Sequence, residues 1–168
     1  MTDAIRRCVI ADDVRAWREL LAAWLTEWGY DCVLTGDGDE ARAAVEAAPT
    51  HLLITDIEMP KCSGLELLSR MRNHPQLELR RVPIIVISSL QDDELADVIG
   101  LFGGNCLLSK PLERARVEIA VRHLERGDRI SALNQFNPAP ERLTSTKVIS
   151  PKLRRLAEEA IQKKAAQF

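Results

Sequence analysis

Two hydrophobic rhythms alternate along this chain. One is a set of short uninterrupted apolar runs: Cys8-Val9-Ile10-Ala11, Cys32-Val33-Leu34, Leu52-Leu53-Ile54, Ile84-Ile85-Val86-Ile87 and Cys106-Leu107-Leu108. Runs of this length suit strands buried on both faces. The other rhythm recurs every three or four residues. Trp17, Leu20, Leu21, Trp24, Leu25 and Trp28 lie on one face of a predicted helix that Gly29 ends. Asp37-Gly38-Asp39 supplies cap chemistry for an alanine-rich helix over Glu40–Ala47, which Pro49 stops. A further helix is predicted from about Gly64 to Asn73, where His74-Pro75 closes it. Asp92-Asp93-Glu94 favours the start of the next, and Gly103-Gly104 its end. Pro111 suits the first turn of a last helix with Val117, Ala120, Val121 and Leu124 on its buried stripe.

Five strands alternating with five helices imply βαβ units, right-handed crossovers and a parallel sheet covered on both faces. The pattern fails after Gly127. Asn137-Pro138-Ala139-Pro140 suits an extended linker, and Ser150-Pro151 then starts a helix with Ser as N-cap and Pro at the first helical position. Leu153, Leu156, Ala157, Ala160 and Ile161 give it a narrow apolar face. A helix of that length is marginal alone in water, so it is expected to dock on something. The predicted division is 1–127 and 128–168.

Charge sharpens this division. Residues 1–128 hold 15 Lys+Arg against 22 Asp+Glu, and residues 129–168 hold 8 against 3. The basic tail is interrupted by acids and offers one candidate helix, too little for the usual DNA-binding domain. A protein-docking helix, with homodimerisation as one form of it, fits better than nucleic acid. The four cysteines lack paired CxxC spacing and three lie in apolar runs, as for core thiols of a reducing compartment. Met1-Thr2-Asp3 opens without an apolar signal region, and no run approaches the ~20 residues of a membrane helix. A cytoplasmic protein is expected.

The chemistry gathers at the carboxyl ends of the predicted strands, the edge where open parallel sheets bind ligands. The first ends on Asp12-Asp13, the third on Asp56, the fourth on Ser88 and the fifth on Lys110-Pro111. Three acids so close repel one another unless a cation relieves them. Mg²⁺ takes oxygen ligands and needs few carboxylates. A metal beside a Lys and a hydroxyl is suited to stabilising phosphoryl oxygens, and Asp56 is the carboxylate placed to attack phosphorus.

This arrangement resembles the receiver domain of bacterial two-component response regulators. The matching pieces are Asp12-Asp13, Asp56-Ile57-Glu58-Met59-Pro60 with Gly64, Pro83 through Ser88-Ser89, and Ser109-Lys110-Pro111. Their order and spacing are more specific than any single piece. The resemblance implies an α/β, flavodoxin-like five-stranded parallel sheet in the order 2-1-3-4-5, with helices on both faces, here extended by a C-terminal helix. It implies Asp56 as phosphoacceptor for a phosphohistidine donor, a sensor histidine kinase or phosphotransfer protein. It implies Asp13, Asp56 and the Glu58 carbonyl as Mg²⁺ ligands, with Asp12 acting through water. Ser88 resembles the switch hydroxyl and Lys110 the lysine that pairs with a phosphoryl oxygen. Phosphorylation would then switch a surface for a downstream protein.

Three positions depart from the family pattern. Leu107 replaces the usual aromatic residue, Gly103-Gly104 stands where Gly-Ala is common, and Glu58 adds a carboxylate beside the site. Two alternatives remain at this point. One is a receiver cut from a larger regulator with an output domain. The other is a haloacid-dehalogenase-like phosphatase or phosphotransferase, which needs a second acid two residues after the nucleophile. Glu58 occupies that position, but Asp is usual there, Met-Pro follows where Thr is expected, and no cap insertion is evident.

Overall fold

In the computed structural model, which describes residues 5–127 and 150–166, the apolar runs become five strands. They are β1 (Arg6–Ala11), β2 (Tyr30–Thr35), β3 (Leu52–Asp56), β4 (Ile84–Ser88) and β5 (Cys106–Ser109). All pair in parallel, in the order β2-β1-β3-β4-β5. The helices are α1 (Arg15–Glu27), α2 (Gly38–Ala47), α3 (Gly64–Arg72), α4 (Leu77–Arg80), α5 (Leu95–Leu101), α6 (Arg114–Glu125) and α7 (Pro151–Ala165).

Side chains on a strand alternate between faces, and the core divides accordingly. Val9, Ala11, Leu53, Val86 and Leu107 join a cluster with residues of α2, α3, α5 and α7. Cys8, Ile10, Leu52, Ile54, Ile85 and Ile87 join a second cluster with residues of α1 and α6. The two-sided burial explains why the strands lack polar alternation. Trp28 is buried in the second cluster and Trp24 packs against it, so two of the three tryptophans serve helix-to-sheet packing.

Several helix ends follow the predicted chemistry. Gly29 takes φ +88° beyond α1. The Asp37 carboxylate accepts from Glu40 N–H at 2.8 Å and so starts α2. At the start of α3, Ser63 and Glu66 form a reciprocal capping box that was not among the predicted caps. Ser150 caps α7, accepting from Leu153 N–H at 3.2 Å, with Pro151 at its first position.

The structure corrects the expected pattern in two places. A single-turn helix, α4, interrupts the predicted connection between α3 and β4. It is too short to carry a periodic signal, and tertiary packing of Leu79 holds it. Pro111 does not open the last helix: α6 begins at Arg114, after Glu113 as N-cap. Asn137–Pro140, the expected linker, lies outside the described residues.

The helix α7 docks on the chain itself. Leu153, Leu156 and Ala160 are buried in the first cluster, and the Lys163 ammonium lies 2.7 Å from Glu66 on α3. Burying two leucines is worth roughly 1.5–3 kcal/mol each, a gain that opposes the cost of ordering a helix that is marginal alone.

Arg72, at the end of α3, ties the edge of the sheet together. Its guanidinium donates to the carbonyls of Gly103, Arg80 and Val82 and to Asn105 Oδ1, each at 2.8 Å. Asn105 in turn accepts from Ile84 N–H at 2.8 Å and so joins β4 to the turn before β5. Burial lowers the Arg72 pKa to about 10, leaving it a cation at neutral pH. Arg72→Met is expected to cost about 2–4 kcal/mol in urea unfolding, because four acceptors lose a charged donor together.

Candidate functional site

The parallel register brings five of the six predicted side chains to one edge. Asp12 directly follows β1, Asp56 closes β3, Ser88 closes β4, and Lys110 directly follows β5. Asp12, Asp13 and Asp56 each place a carboxylate oxygen within 4.8 Å of the others. Asp12 is fully buried and Asp56 is 5% exposed, whereas Asp13 faces solvent. The Lys110 ammonium reaches between the two buried acids, 2.7 Å from Asp12 Oδ2 and 3.3 Å from Asp56 Oδ2.

Local hydrogen bonds hold these groups. Val14 N–H donates to Asp12 Oδ1 at 2.9 Å, and Ile57 N–H donates to Asp56 Oδ1 at 2.9 Å. The second oxygen of each acid therefore faces Lys110. Asp12 Oδ2 meets Lys110 as an ion pair without hydrogen-bond alignment, so this buried oxygen retains coordination capacity. Three carboxylates with one such oxygen form a donor set that fits a hard divalent cation.

Burial pushes the Asp56 carboxyl up to about 6. The Lys110 ammonium opposes that rise and the Asp12 carboxylate adds to it. Asp56 is thus a desolvated acid whose ionised form depends on neighbouring positive charge.

Ser88 is buried, and its hydroxyl oxygen accepts from Leu90 N–H at 3.0 Å. Lys110 N–H donates to the Ser88 carbonyl at 2.8 Å, which fixes the end of β5 against the end of β4. Leu107 is buried in the core. The Glu58 carboxylate turns away from the three aspartates to pair with Lys152 on α7.

Two neighbours of the site were not among the sequence-predicted residues. The Trp17 ring lies beneath the Lys110 ammonium, 5.5 Å from centroid to nitrogen, a cation–π distance. Its position one helical turn after Asp13 was the available signal. Lys152 had no such signal, because its approach to Glu58 depends on where α7 docks. Cys62, in the loop after Asp56, is buried against Gly38, and burial pushes its thiol up to about 12. No reactive thiolate forms there at neutral pH.

The response regulator receiver domain family model matches residues 8–122, and the chain belongs to that family. It is therefore a receiver of two-component phosphoryl signalling, which sets aside the haloacid-dehalogenase-like alternative. It is 36% identical over 85 residues to response regulator RR06 of Streptococcus pneumoniae serotype 2, a match covering 51% of this chain and only 37% of that protein. It is 28% identical over 116 residues to a probable chemotaxis protein CheY of Rhizobium etli, covering 68% of this chain and 88% of that protein. Among solved structures, the CheX–CheY–BeF₃–Mg²⁺ complex of Borrelia burgdorferi is similar, with 26% identity and a TM-score of 0.64, over 71% of this chain and 89% of that one. Among the described residues, no helix is long and apolar enough to cross a membrane.

Proposed function

We propose that Asp56 accepts a phosphoryl group from a phosphohistidine of a sensor kinase or phosphotransfer protein. The observation that carries this reading is Asp56 itself: a buried acid at a strand end, between a lysine and two further carboxylates. An Asp56 carboxylate oxygen bonds to phosphorus as the phosphorus–nitrogen bond breaks, and the electron pair leaves with the imidazole, which takes up a proton. An acyl phosphate remains on the chain. Lys110 moves from its carboxylate partners to a phosphoryl oxygen, and the Ser88 hydroxyl donates to another. Asp12, Asp13, Asp56 and the Glu58 main chain would hold Mg²⁺, which supplies positive charge against the phosphoryl oxygens.

The chain acts only on its own phosphoryl group and turns over no small substrate. Residues 1–127 form the receiver, residues 128–168 an extension, and the output is a protein–protein contact.

Trp17 offers a direct test through its contact with Lys110. Tryptophan fluorescence is expected to change on adding Mg²⁺ and again on adding beryllofluoride. Asp56→Ala should lose the second change, and Trp17→Phe should lose most of both. An unresponsive wild-type chain that also forms no acyl phosphate by mass after acetyl phosphate treatment would overturn the proposal.

A further inference from the structure

The docking of α7 has a feature that core packing alone does not require. Its first turn is tied to two loops at once. Ser150 N–H donates to Asp92 Oδ1 at 2.7 Å, in the loop that leaves β4, and Lys152 pairs with Glu58, in the loop that leaves β3. These are the strands that end on Ser88 and Asp56. The body of α7 lies on α3 through Leu153, Leu156 and Ala160, with Lys163 on Glu66. Asp92 also sits at the N-terminus of α7, where the helix dipole favours an acid. The helix thus spans the two loops that flank Asp56 while its apolar face rests on an element that neither loop contains.

We propose that α7 is a phosphorylation-sensitive clasp: it is docked while Asp56 is free and loosened when Asp56 carries a phosphoryl group. The inference rests on the assignment of Asp56 as acceptor. Phosphorylation replaces the single charge of the Asp56 carboxylate by a phosphoryl group of about two negative charges, a net gain of about one, with three strong acceptor oxygens. Ser88 closes the neighbouring strand, one residue beyond Ile87, which pairs with Asp56, and its hydroxyl oxygen is held by Leu90 N–H. Recruiting that hydroxyl draws the loop containing Leu90 and Asp92 toward Asp56. The same phosphoryl charge competes with Glu58 for Lys152. Both ties of the first turn are then disturbed together, and the remaining apolar face is that of a helix marginal on its own. Coupling is reciprocal, so a chain with loosened α7 binds a phosphoryl mimic more tightly.

Hydrogen exchange on the full chain, read together with Trp17 fluorescence, tests this. With Mg²⁺ and beryllofluoride, amides of residues 152–165 are expected to lose protection by roughly 5–150-fold relative to Mg²⁺ alone, the usual range of allosteric coupling. Asp56→Ala should abolish that loss. Asp92→Ala and Lys152→Ala should each lower α7 protection before any mimic is added, while β1 and β3 amides stay protected. If Trp17 responds but α7 protection is unchanged or rises, the clasp is wrong and the acceptor assignment stands. If neither responds, both fall. If Asp92→Ala and Lys152→Ala leave α7 protection at the wild-type level, the ties do not hold the helix, and the clasp is again wrong.

Discussion

Asp56→Asn is expected to stabilise the fold at neutral pH while abolishing phosphoryl acceptance. Burial raises the Asp56 pKa from 3.8 to about 6. Well below pH 4 the carboxyl is protonated in both folded and unfolded chains and contributes nothing. As pH rises from about 4 to 6 the unfolded chain ionises while the folded chain resists, so stability falls. Above about pH 6 both forms are ionised and the cost is constant. The full shift corresponds to about 3 kcal/mol, and partial solvent access reduces this to roughly 1–3 kcal/mol. Asn removes the cost, so Tm should rise by roughly 3–10 °C at pH 7.5 and hardly change at about pH 3. Mg²⁺ should stabilise the wild type and do so much less for Asp56→Asn, because it opposes the same buried charge. Thermal melts across pH, with and without Mg²⁺, measure all of this. A variant less stable than wild type at pH 7.5 would show that the charge is not buried at a cost.

Gly64→Ala is expected to be among the most damaging single substitutions in the chain. A Cβ at Gly64 would lie 2.1 Å from the Asp56 carbonyl oxygen and 2.9 Å from Ile57 Cα. Those atoms are main chain, so no rotamer change relieves the overlap. The Gly64 N–H also donates to the Ile57 carbonyl at 2.8 Å, which pins the loop where the overlap is worst. Separating α3 from the end of β3 should cost about 3 kcal/mol or more. It also displaces Ile57 N–H, which orients the Asp56 carboxylate. Urea unfolding and phosphoryl incorporation should fail together. Gly36→Ala is the control: its Cβ would meet only side-chain atoms, the nearest at 3.6 Å, and stability should stay within about 0.5 kcal/mol of wild type.

The two substitutions mark what the linear pattern revealed about the site. Asp56 was legible because a buried strand announces itself as an apolar run, and the first acid after that run must lie at the sheet edge. The same logic located Asp12, Ser88 and Lys110. Gly64 was legible as a loop glycine, but the 2.1 Å approach that makes it irreplaceable is a distance between two segments. The same limit applied to Trp17. Its place one turn beyond Asp13 put it near the site, but the approach of its ring to Lys110, 93 positions away in the chain, is a distance between segments.

The linear pattern was enough for the five buried strands, the polar residues that end them and the amphipathic faces of the helices, including the Ser-Pro start and Leu-x-x-Leu stripe of α7. These are local properties: strand and helix periods repeat over a few residues, and caps act within one turn. The packing of α7 on α3, the meeting of Lys152 with Glu58, the bond from Ser150 to Asp92 and the four acceptors of Arg72 became visible in the folded chain alone. Most of these contacts close loops of more than thirty residues between groups with no common period. The buried surface and charge they bring together exist only once the sheet is assembled.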